Sequence, residues 1–293
     1  MKTTAEKRAR TETLSEAEAE PSPTGAAAPS QTQAPLVPVV EQADPIHPPA
    51  PTSFTLHPIG IIHSPYQEKF GIPRQPALAP SAPVTLTLLP PYNHPDSVRG
   101  LEGFSHVWLS FIFHETLVRG WHPLVRPPRL GGNTKIGVFA SRSTHRPNGL
   151  GLSLVELKHI DTSHNGVVLH LAGADLLDGT PVLDIKPYIP FVEAKPDARS
   201  GFVDGPPVQL TVQWSEKART DLQKWRRAPE WLPRLIDEVL AQDPRPAYQD
   251  EPRRLYGVRL GGCNVRFTVA EGVVNVVEVI TPDAAEVAQG QQL

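Results

Sequence analysis

Cysteine is nearly absent from this chain of 293 residues, which has a single one, Cys263. One thiol cannot form a disulfide framework, and it cannot supply the several cysteine ligands of a zinc finger or an iron–sulfur cluster. The scarcity of cysteine therefore favours a reducing compartment. Cys263 falls in a predicted strand region, where a buried, unreactive thiol is the favoured interpretation and a nucleophile is the alternative.

Long apolar runs are also missing. No stretch of about 18 apolar residues occurs, so we expect no transmembrane helix and no membrane partner. The first 20 residues contain five Glu and no apolar segment, which argues against a secretory signal and against a transit peptide. Together with the cysteine content, these absences predict a cytoplasmic protein.

Aromatic residues are absent from 1–53, which holds nine of the 34 Pro and ten Ala. A segment of this composition cannot bury a core, so we predict a disordered, Pro/Ala-rich tail there and a shorter frayed tail at 282–293. Seven acidic and four basic residues lie in 1–53, so the net charge of −3 belongs to this tail and the rest of the chain is neutral.

Short strands separated by Pro and Gly dominate residues 54–200. Period-two alternation and short apolar runs predict strands at 54–56 with 59–62, 84–89, 107–113, 136–140, 167–171 and 182–185. No amphipathic helix of about 12 residues lies between them. The pattern argues against βαβ units and favours an all-β barrel or sandwich.

A small α+β module is predicted at 208–281. Residues 208–214 alternate like an edge strand, and Ser215 is a suitable N-cap for the helix that follows. A second, amphipathic helix is predicted to begin at Pro229 and to end at Asp243. Three further strands are predicted at 255–260, 264–269 and 273–280. The predicted fold class is therefore mainly β, with this module after the larger β domain.

A local excess of positive charge lies at 116–155. This stretch has no Asp or Glu and carries Arg119, Arg126, Arg129, Lys135, Arg142 and Arg146. A solvated charged face is the ordinary interpretation of such residues. The rigid Pro pairs and the Gly turns around them favour instead a site for phosphate, carboxylate or nucleic acid.

Polar side chains also stand beside turns or at strand ends in three other segments, which are Pro73-Arg74-Gln75, His114-Glu115 and 175–181. Taken singly, His114 is typical of a structural histidine, and Asp178-Gly179 is typical of a plain hairpin turn. The eleven His lack metal-ligand spacing, and no Walker, Gly-x-Ser-x-Gly or His-Glu-x-x-His motif occurs, so we expect no metal site. A hydrolase or metalloenzyme would lack an assembled nucleophile or ligand set.

Seven motifs in one order give the chain a specific resemblance to a known family over about 55–280. They are IGIIHSPY (59–66), KFGIPRQP (69–76), VRGLEGFSHVW (98–108), VRPPRLGG (125–132), RSTHRPN (142–148), LDGTPVLDIKPY (177–188) and EVLAQDPRPAY (238–248). The chain resembles the TsaA/YaeB-like (TrmO) family. It departs from the family's usual Arg-Pro-Asn-Pro-Ile-Gly at Gly149, where a Gly loosens a turn that Pro would stiffen.

The resemblance implies a β-barrel methyltransferase that uses S-adenosylmethionine. Its implied substrate is N6 of threonylcarbamoyl-adenosine at position 37, beside the anticodon of threonine tRNA, and its implied assembly is a homodimer with the cofactor near the dimer interface. The alternative function is a non-catalytic RNA-binding β-barrel protein, which calorimetry with S-adenosylmethionine would distinguish.

The resemblance also assigns site residues. The implied cofactor-binding residues are Pro73, Arg74, Gln75, His114, Glu115, Arg142, Leu154, Asp178, Gly179, Thr180 and Pro181. Arg142 or Arg74 can pair with the cofactor carboxylate, Leu154 can pack on its adenine, and the 178–180 turn offers backbone groups and a carboxylate.

The sulfonium of the cofactor is already electrophilic, so catalysis consists mainly of aligning N6 with the methyl carbon. Some group should accept the N6 proton, and Asp175, Asp178, His114 and His145 are the candidates. Expected RNA contacts are Arg126, Arg129, Arg146, Arg245 and Tyr248. The alternative for the last two is that Tyr248 packs on the helix and Arg245 pairs with an acid such as Asp250 or Glu251.

Overall fold

The computed structural model describes residues 53–163, 166–245, 251 and 254–282. Twelve strands and four α-helices occur within these residues. The strands are β1 (Gly60–His63), β2 (Pro83–Leu88), β3 (His106–Ile112), β4 (Leu124–Val125), β5 (Ile136–Gly137), β6 (Leu150–Asp161), β7 (Val168–Ala172), β8 (Pro181–Pro187), β9 (Thr211–Trp214), β10 (Tyr256–Leu260), β11 (Cys263–Ala270) and β12 (Val273–Ile280). The helices are α1 (His114–Leu117), α2 (Pro190–Glu193), α3 (Glu216–Lys224) and α4 (Leu232–Leu240). Nearly all of the predicted tails at 1–53 and 282–293 lies outside the described residues.

Six strands close into a barrel in the order β1-β2-β7-β6-β3-β8, and every neighbouring pair is antiparallel. Alternate residues point inward, so that Val107, Leu109 and Phe111 of β3 are buried while the residues between them are half-buried. The apolar run at 107–113 is therefore buried on one face only, because a closed barrel has a single interior. The expectation of a mainly β fold with a barrel is confirmed, and the sandwich alternative is wrong.

The longest strand, β6, is missing from the strands that the sequence predicts. Its outward positions hold Leu150, Leu152 and Leu154, whereas its first inward positions hold Gly151 and Ser153. The usual hydropathy alternation is thus reversed over the first half of the strand, which hides it from a periodicity argument. A Cβ at Gly151 would lie 2.3 Å from ring atoms of Phe111, so the space beneath β6 admits no side chain there.

Three other predicted elements differ from the structure. Residues 54–56 form no strand, and Phe54 is exposed there because no partner strand lies alongside. The predicted strand at 136–140 ends after Gly137 and continues as a 3-10 turn. Helix α4 begins at Leu232 rather than at Pro229, and Pro233 takes the first-turn position where a missing N–H costs nothing.

The C-terminal sheet has the order β10-β11-β12-β9. Strand β9 is an edge strand as predicted, running parallel to β12, but it begins at Thr211 rather than at residue 208. The Ser215 hydroxyl accepts a hydrogen bond from the Ala218 N–H (3.0 Å), which confirms the predicted cap of α3. Helix α4 buries Leu232, Leu235, Ile236, Val239 and Leu240 of the predicted apolar face, whereas Trp231, the sixth predicted member, precedes the helix and is half-buried. Cys263 is buried within this sheet, in agreement with the favoured interpretation of its thiol.

The barrel and the C-terminal sheet share one apolar core, and the described residues from Phe54 onward belong to one compact unit. Tyr66, after β1, forms an isolated antiparallel β-bridge with Leu260 of β10. Beside it, the Gly261 N–H donates a hydrogen bond to the Pro65 carbonyl (2.9 Å). Among the residues that the structure describes, no helix combines the length and the apolar character that crossing a bilayer requires.

Candidate active site

The antiparallel order of the barrel brings the chemically active segments to one end. When every neighbour is antiparallel, the strands that run in one direction end where those that run in the other direction begin. The connections β1–β2 (64–82), β3–β6 (113–149) and β7–β8 (173–180) therefore leave from the same end. Ten of the eleven expected cofactor-binding residues lie in these connections or at the first residue of β8, and the exception is Leu154.

Arg142 and Gln75 join two of these connections directly. The Arg142 guanidinium donates to the side-chain carbonyl of Gln75, across 67 positions of sequence. Pro73, two residues before Gln75, is buried, whereas the side chains of Arg74 and Arg142 are exposed. The Arg142 guanidinium and the Gln75 amide, with the exposed Arg74 next to Gln75 in sequence, are groups that suit a carboxylate ligand.

Asp175 lies in the third of these connections and is partly buried. It accepts a hydrogen bond of 2.7 Å from the hydroxyl of Ser153, which points into the barrel from β6. Burial raises the pKa of the Asp175 carboxyl, against smaller lowering effects of the Ser153 hydrogen bond and the Arg142 charge. Ser153 was not among the expected site residues, and the reversed alternation of β6 conceals it.

The turn that contains Asp178 is tied to β1. The Ser64 N–H donates to the Asp178 carboxylate (2.9 Å), and the N–H groups of Asp178 and Gly179 donate to the carbonyls of Tyr66 and Ile62 (2.9 and 2.8 Å). These two N–H groups are thus used within the chain, and the backbone groups that the turn is expected to offer a ligand do not include them. The Asp178 side chain remains about half exposed, and the Thr180 hydroxyl is buried against the Leu177 carbonyl.

The candidate histidines both lie in the β3–β6 connection. His114 begins α1, and its Nε2 is 3.8 Å from the Glu115 carboxylate, which is mostly exposed. His145 Nδ1 is 3.4 Å from the Gly120 carbonyl, and its ring meets that of His122 edge to face at 5.0 Å. His145 is therefore engaged with the 120–122 segment of its own connection.

Leu154 lies on the outer wall of the barrel, opposite Trp108 of β3. It is four residues from the start of β6, which is roughly 13 Å along a strand. Leu152 is closer to the barrel end and is 59% exposed, although it was not among the expected site residues. Both positions thus present apolar surface on the outer wall of the barrel.

The expected RNA contacts are of two kinds. Arg126 and Arg129 lie in the β3–β6 connection, and both are exposed. Arg146 points instead to the backbone, donating to the Ser141 carbonyl (2.8 Å), and its guanidinium lies over the Phe139 ring at 5.8 Å.

In the C-terminal region, Arg245 is 12% exposed and forms a two-pronged pair with Asp243 (2.8 and 2.9 Å). The alternative interpretation, that Arg245 pairs with an acid, therefore describes it, and among the described residues this acid is Asp243. Asp250 lies outside the described residues. Tyr248 lies outside the described residues.

Tyr66 is a buried residue at this end that the sequence does not single out. Its hydroxyl has no hydrogen-bond partner among the described residues. Burial raises the pKa of Tyr66, and the charges of Asp175 and Glu238 raise it further. No cluster of three potential metal-ligating side chains occurs in the described parts of the chain.

Comparisons with known proteins agree with this architecture. The family models for the tRNA-methyltransferase O N-terminal domain and the TrmO C-terminal domain match residues 61–194 and 207–282. A tRNA (adenine(37)-N6)-methyltransferase of Escherichia coli is 50% identical over 223 residues, which is 75% of this chain and 95% of that protein. A putative S-adenosylmethionine-dependent methyltransferase of Pseudomonas aeruginosa is 53% identical over 73% of this chain and 91% of its own length.

Solved structures give the same result. The crystal structure of TrmO from Pseudomonas aeruginosa superimposes with a TM-score of 0.66 at 44% identity, covering 78% of this chain and 98% of that one. The two domain models together match well over half of the sequence. The Escherichia coli relative is matched over 95% of its length. The chain belongs to the tRNA-methyltransferase O family.

Proposed function

We propose that this chain transfers a methyl group from S-adenosylmethionine to N6 of threonylcarbamoyl-adenosine at position 37 of threonine tRNA. At the coarser level, it is an S-adenosylmethionine-dependent tRNA (adenine-N6)-methyltransferase. The observation that carries the proposal is the convergence of three connections at one barrel end, where Arg142 contacts Gln75 and Ser153 holds the partly buried Asp175.

The residues at the barrel end fit the cofactor chemically. Arg74 and Arg142 are exposed cations for its carboxylate, and Asp178 keeps a half-exposed carboxylate for ribose hydroxyls or the ammonium group. Leu152 and Leu154 offer apolar surface for the adenine. When bound, S-adenosylmethionine supplies an electrophilic methyl group, so that these side chains need only bind and orient.

Asp175 is our choice for the group that accepts the N6 proton. It lies in one of the three converging connections, it is held by Ser153, and burial raises its pKa, which makes its carboxylate a stronger base. His114 is the second choice, because its ring is partly exposed at the same end. The His145 contact with Gly120 supports a positioning role for that residue.

The RNA is expected to lie against the β3–β6 connection. Arg126 and Arg129 lie there in the same connection as the exposed aromatic side chain of Trp121, a combination that suits phosphates and unstacked bases. Arg245 and Tyr248 remain proposed contacts of the C-terminal region, although Arg245 would first have to leave Asp243.

A homodimer in the cytoplasm completes the proposal. Val118 and Phe139, at 92% and 74% exposure, are large apolar side chains of the β3–β6 connection whose covering by a second copy would remove them from water. Sedimentation equilibrium measures the mass directly, and a monomer at micromolar concentration would contradict this part of the proposal.

The function is tested by incubating the purified chain with S-adenosylmethionine and threonine tRNA that carries threonylcarbamoyl-adenosine, followed by mass spectrometry of the nucleosides. A methylated threonylcarbamoyl-adenosine is expected. The matched control is the same tRNA with unmodified adenosine at position 37, which should remain unmethylated. Methylation of the unmodified tRNA alone would contradict the proposed substrate while leaving the enzyme class intact.

A further inference from the structure

The segment at 73–82, which we call the cofactor loop, starts with the proposed cofactor-binding residues and returns to β2. Its second half is held by two side chains of the C-terminal region. Glu238 of α4 accepts the Ser81 N–H (2.9 Å) and the Ser81 hydroxyl (2.7 Å) with its two carboxylate oxygens. The Gln242 amide donates to the Leu78 carbonyl (3.0 Å) and to the Glu238 carbonyl (2.8 Å).

Both anchoring side chains are shielded from water. The Glu238 side chain is 17% exposed, and Gln242 is 9% exposed. A hydrogen bond in such surroundings is costly to leave unmade, since the abandoned partner stays buried without water. The cofactor loop therefore cannot drift from α4 without unpairing Ser81 and Leu78.

The first half of the loop is turned toward the same region. The Arg74 guanidinium is 3.4 Å from the carbonyls of Asp243 and Arg245, which follow α4 in the chain. An exposed Arg otherwise samples many rotamers, at a cost in entropy when it binds. The carbonyls after α4 thus favour one direction for the side chain proposed to pair with the cofactor.

We infer that Glu238 and Gln242 are positioning residues for the cofactor site. They hold the cofactor loop against the end of α4, so that Arg74 and Gln75 are arranged for binding before the cofactor arrives. Cofactor affinity in the barrel then depends on a helix of the C-terminal region. The inference rests on the proposed function, because it takes residues 73–75 as part of the cofactor site.

Two variants of the full-length protein test the inference by calorimetry with S-adenosylmethionine. Gln242→Glu keeps the shape but places a carboxylate, which cannot donate when ionised, against two carbonyls. We expect its dissociation constant to rise about tenfold. Ser81→Ala removes one of the two bonds to Glu238 and should raise the constant about threefold, and Ser81→Thr, which keeps the hydroxyl, should restore it.

The matched control is Glu68→Ala. Glu68 also ties the barrel to the C-terminal sheet, by accepting the Arg259 N–H at 3.0 Å, but it lies outside the cofactor loop. Its removal should leave the dissociation constant unchanged. In steady-state kinetics, the Michaelis constant for S-adenosylmethionine should rise in Gln242→Glu while that for tRNA stays the same, a split that general loosening of the fold would not produce.

Wild-type affinity in a folded Gln242→Glu protein would overturn the inference. If Gln242→Glu does not fold, Ser81→Ala provides the test. Wild-type affinity of Ser81→Ala for S-adenosylmethionine would then overturn the inference. Arg142→Ala separates the two levels of the proposal. If Arg142→Ala binds S-adenosylmethionine more weakly and Gln242→Glu binds it normally, only the positioning role is refuted. If Arg142→Ala itself binds S-adenosylmethionine normally, the proposed cofactor site is refuted.

Discussion

Two connections at the same end of the barrel are built in opposite ways. The β1–β2 connection is bound along its length, by the turn at Asp178, by the Gly173 carbonyl that accepts the Ala77 N–H (2.7 Å), and by Glu238 of α4. The β3–β6 connection exposes both apolar and cationic side chains, among them Val118 and Arg129. The first arrangement suits the proposed site for a small ligand, and the second suits the proposed contacts with macromolecular partners.

Asp175→Asn should have the largest effect, since Asp175 lies at the end of the barrel that both connections share and is proposed to accept the N6 proton. The turnover number is expected to fall about a hundredfold, the lower range for losing a general base. Single-turnover methylation of tRNA measures this, with cofactor affinity determined in parallel. An unchanged turnover number would exclude Asp175 as the acceptor of the N6 proton and would favour His114, the second choice.

Arg142→Ala cuts the direct link between the two connections at Gln75. Removing a charge-assisted hydrogen bond to the cofactor carboxylate should weaken binding by about 2 kcal/mol, or roughly 30-fold. The control is Lys135→Ala, which removes an exposed cation of the same connection. Melting curves of the cofactor-free proteins should coincide, because the Arg142 side chain is exposed.

The double variant Arg126→Ala with Arg129→Ala tests the proposed RNA contacts of the β3–β6 connection alone. The Michaelis constant for tRNA should rise about tenfold, and its logarithmic salt dependence should fall by about 0.7 to 0.9 for each phosphate that the variant no longer neutralises. Cofactor affinity should stay at the wild-type value. Arg146→Ala is the informative comparison, since that side chain bonds the backbone at Ser141 and its removal should lower the melting temperature instead.

The pH dependence of stability gives a smaller signal from Asp175. Because burial raises its pKa, the folded state holds the proton more tightly than the unfolded chain does. The resulting stabilisation is complete below the ordinary carboxyl pKa and is lost as pH rises through the raised value. The melting temperature of Asp175→Asn, measured relative to that of the wild type, should therefore increase as the pH rises through this window.

Removal of residues 1–53 should have the smallest effect. The segment contributes the whole net negative charge and no aromatic side chain, so neither cofactor nor RNA gains an evident contact from it. Methylation by the truncated chain should stay within a few-fold of the full-length rate. A hundredfold decrease would assign the segment to the site.

Local patterns predict much of this fold, and they fail where the barrel closes. The alternation of Val84 to Leu88 and the apolar face of α4 identify their elements correctly, because each depends on a short stretch of chain. Strand β6 escapes prediction because Gly151 and Ser153 face the interior while leucines face outward. Tertiary contacts explain this choice: Phe111 fills the space at Gly151, and Ser153 donates to Asp175.

Site residues divide in the same way. The segments singled out in the sequence include Arg142, Gln75 and Asp175, and antiparallel closure then brings them to one end. Sequence cannot show that Arg245 turns to Asp243 or that the N–H groups at 178–179 are already used, because both depend on backbone positions set by tertiary contacts.

Buried Cys263 makes the molecule convenient for site-specific labelling. It is the only cysteine of the chain, and burial raises its thiol pKa to about 12, so that almost no reactive thiolate exists at neutral pH. A Glu102→Cys substitution, exposed in the β2–β3 connection at the opposite end of the barrel, would then be the preferred target of a maleimide dye. A fluorophore there could report tRNA binding from a distance of about one strand length, roughly 20 Å, without touching the reacting groups.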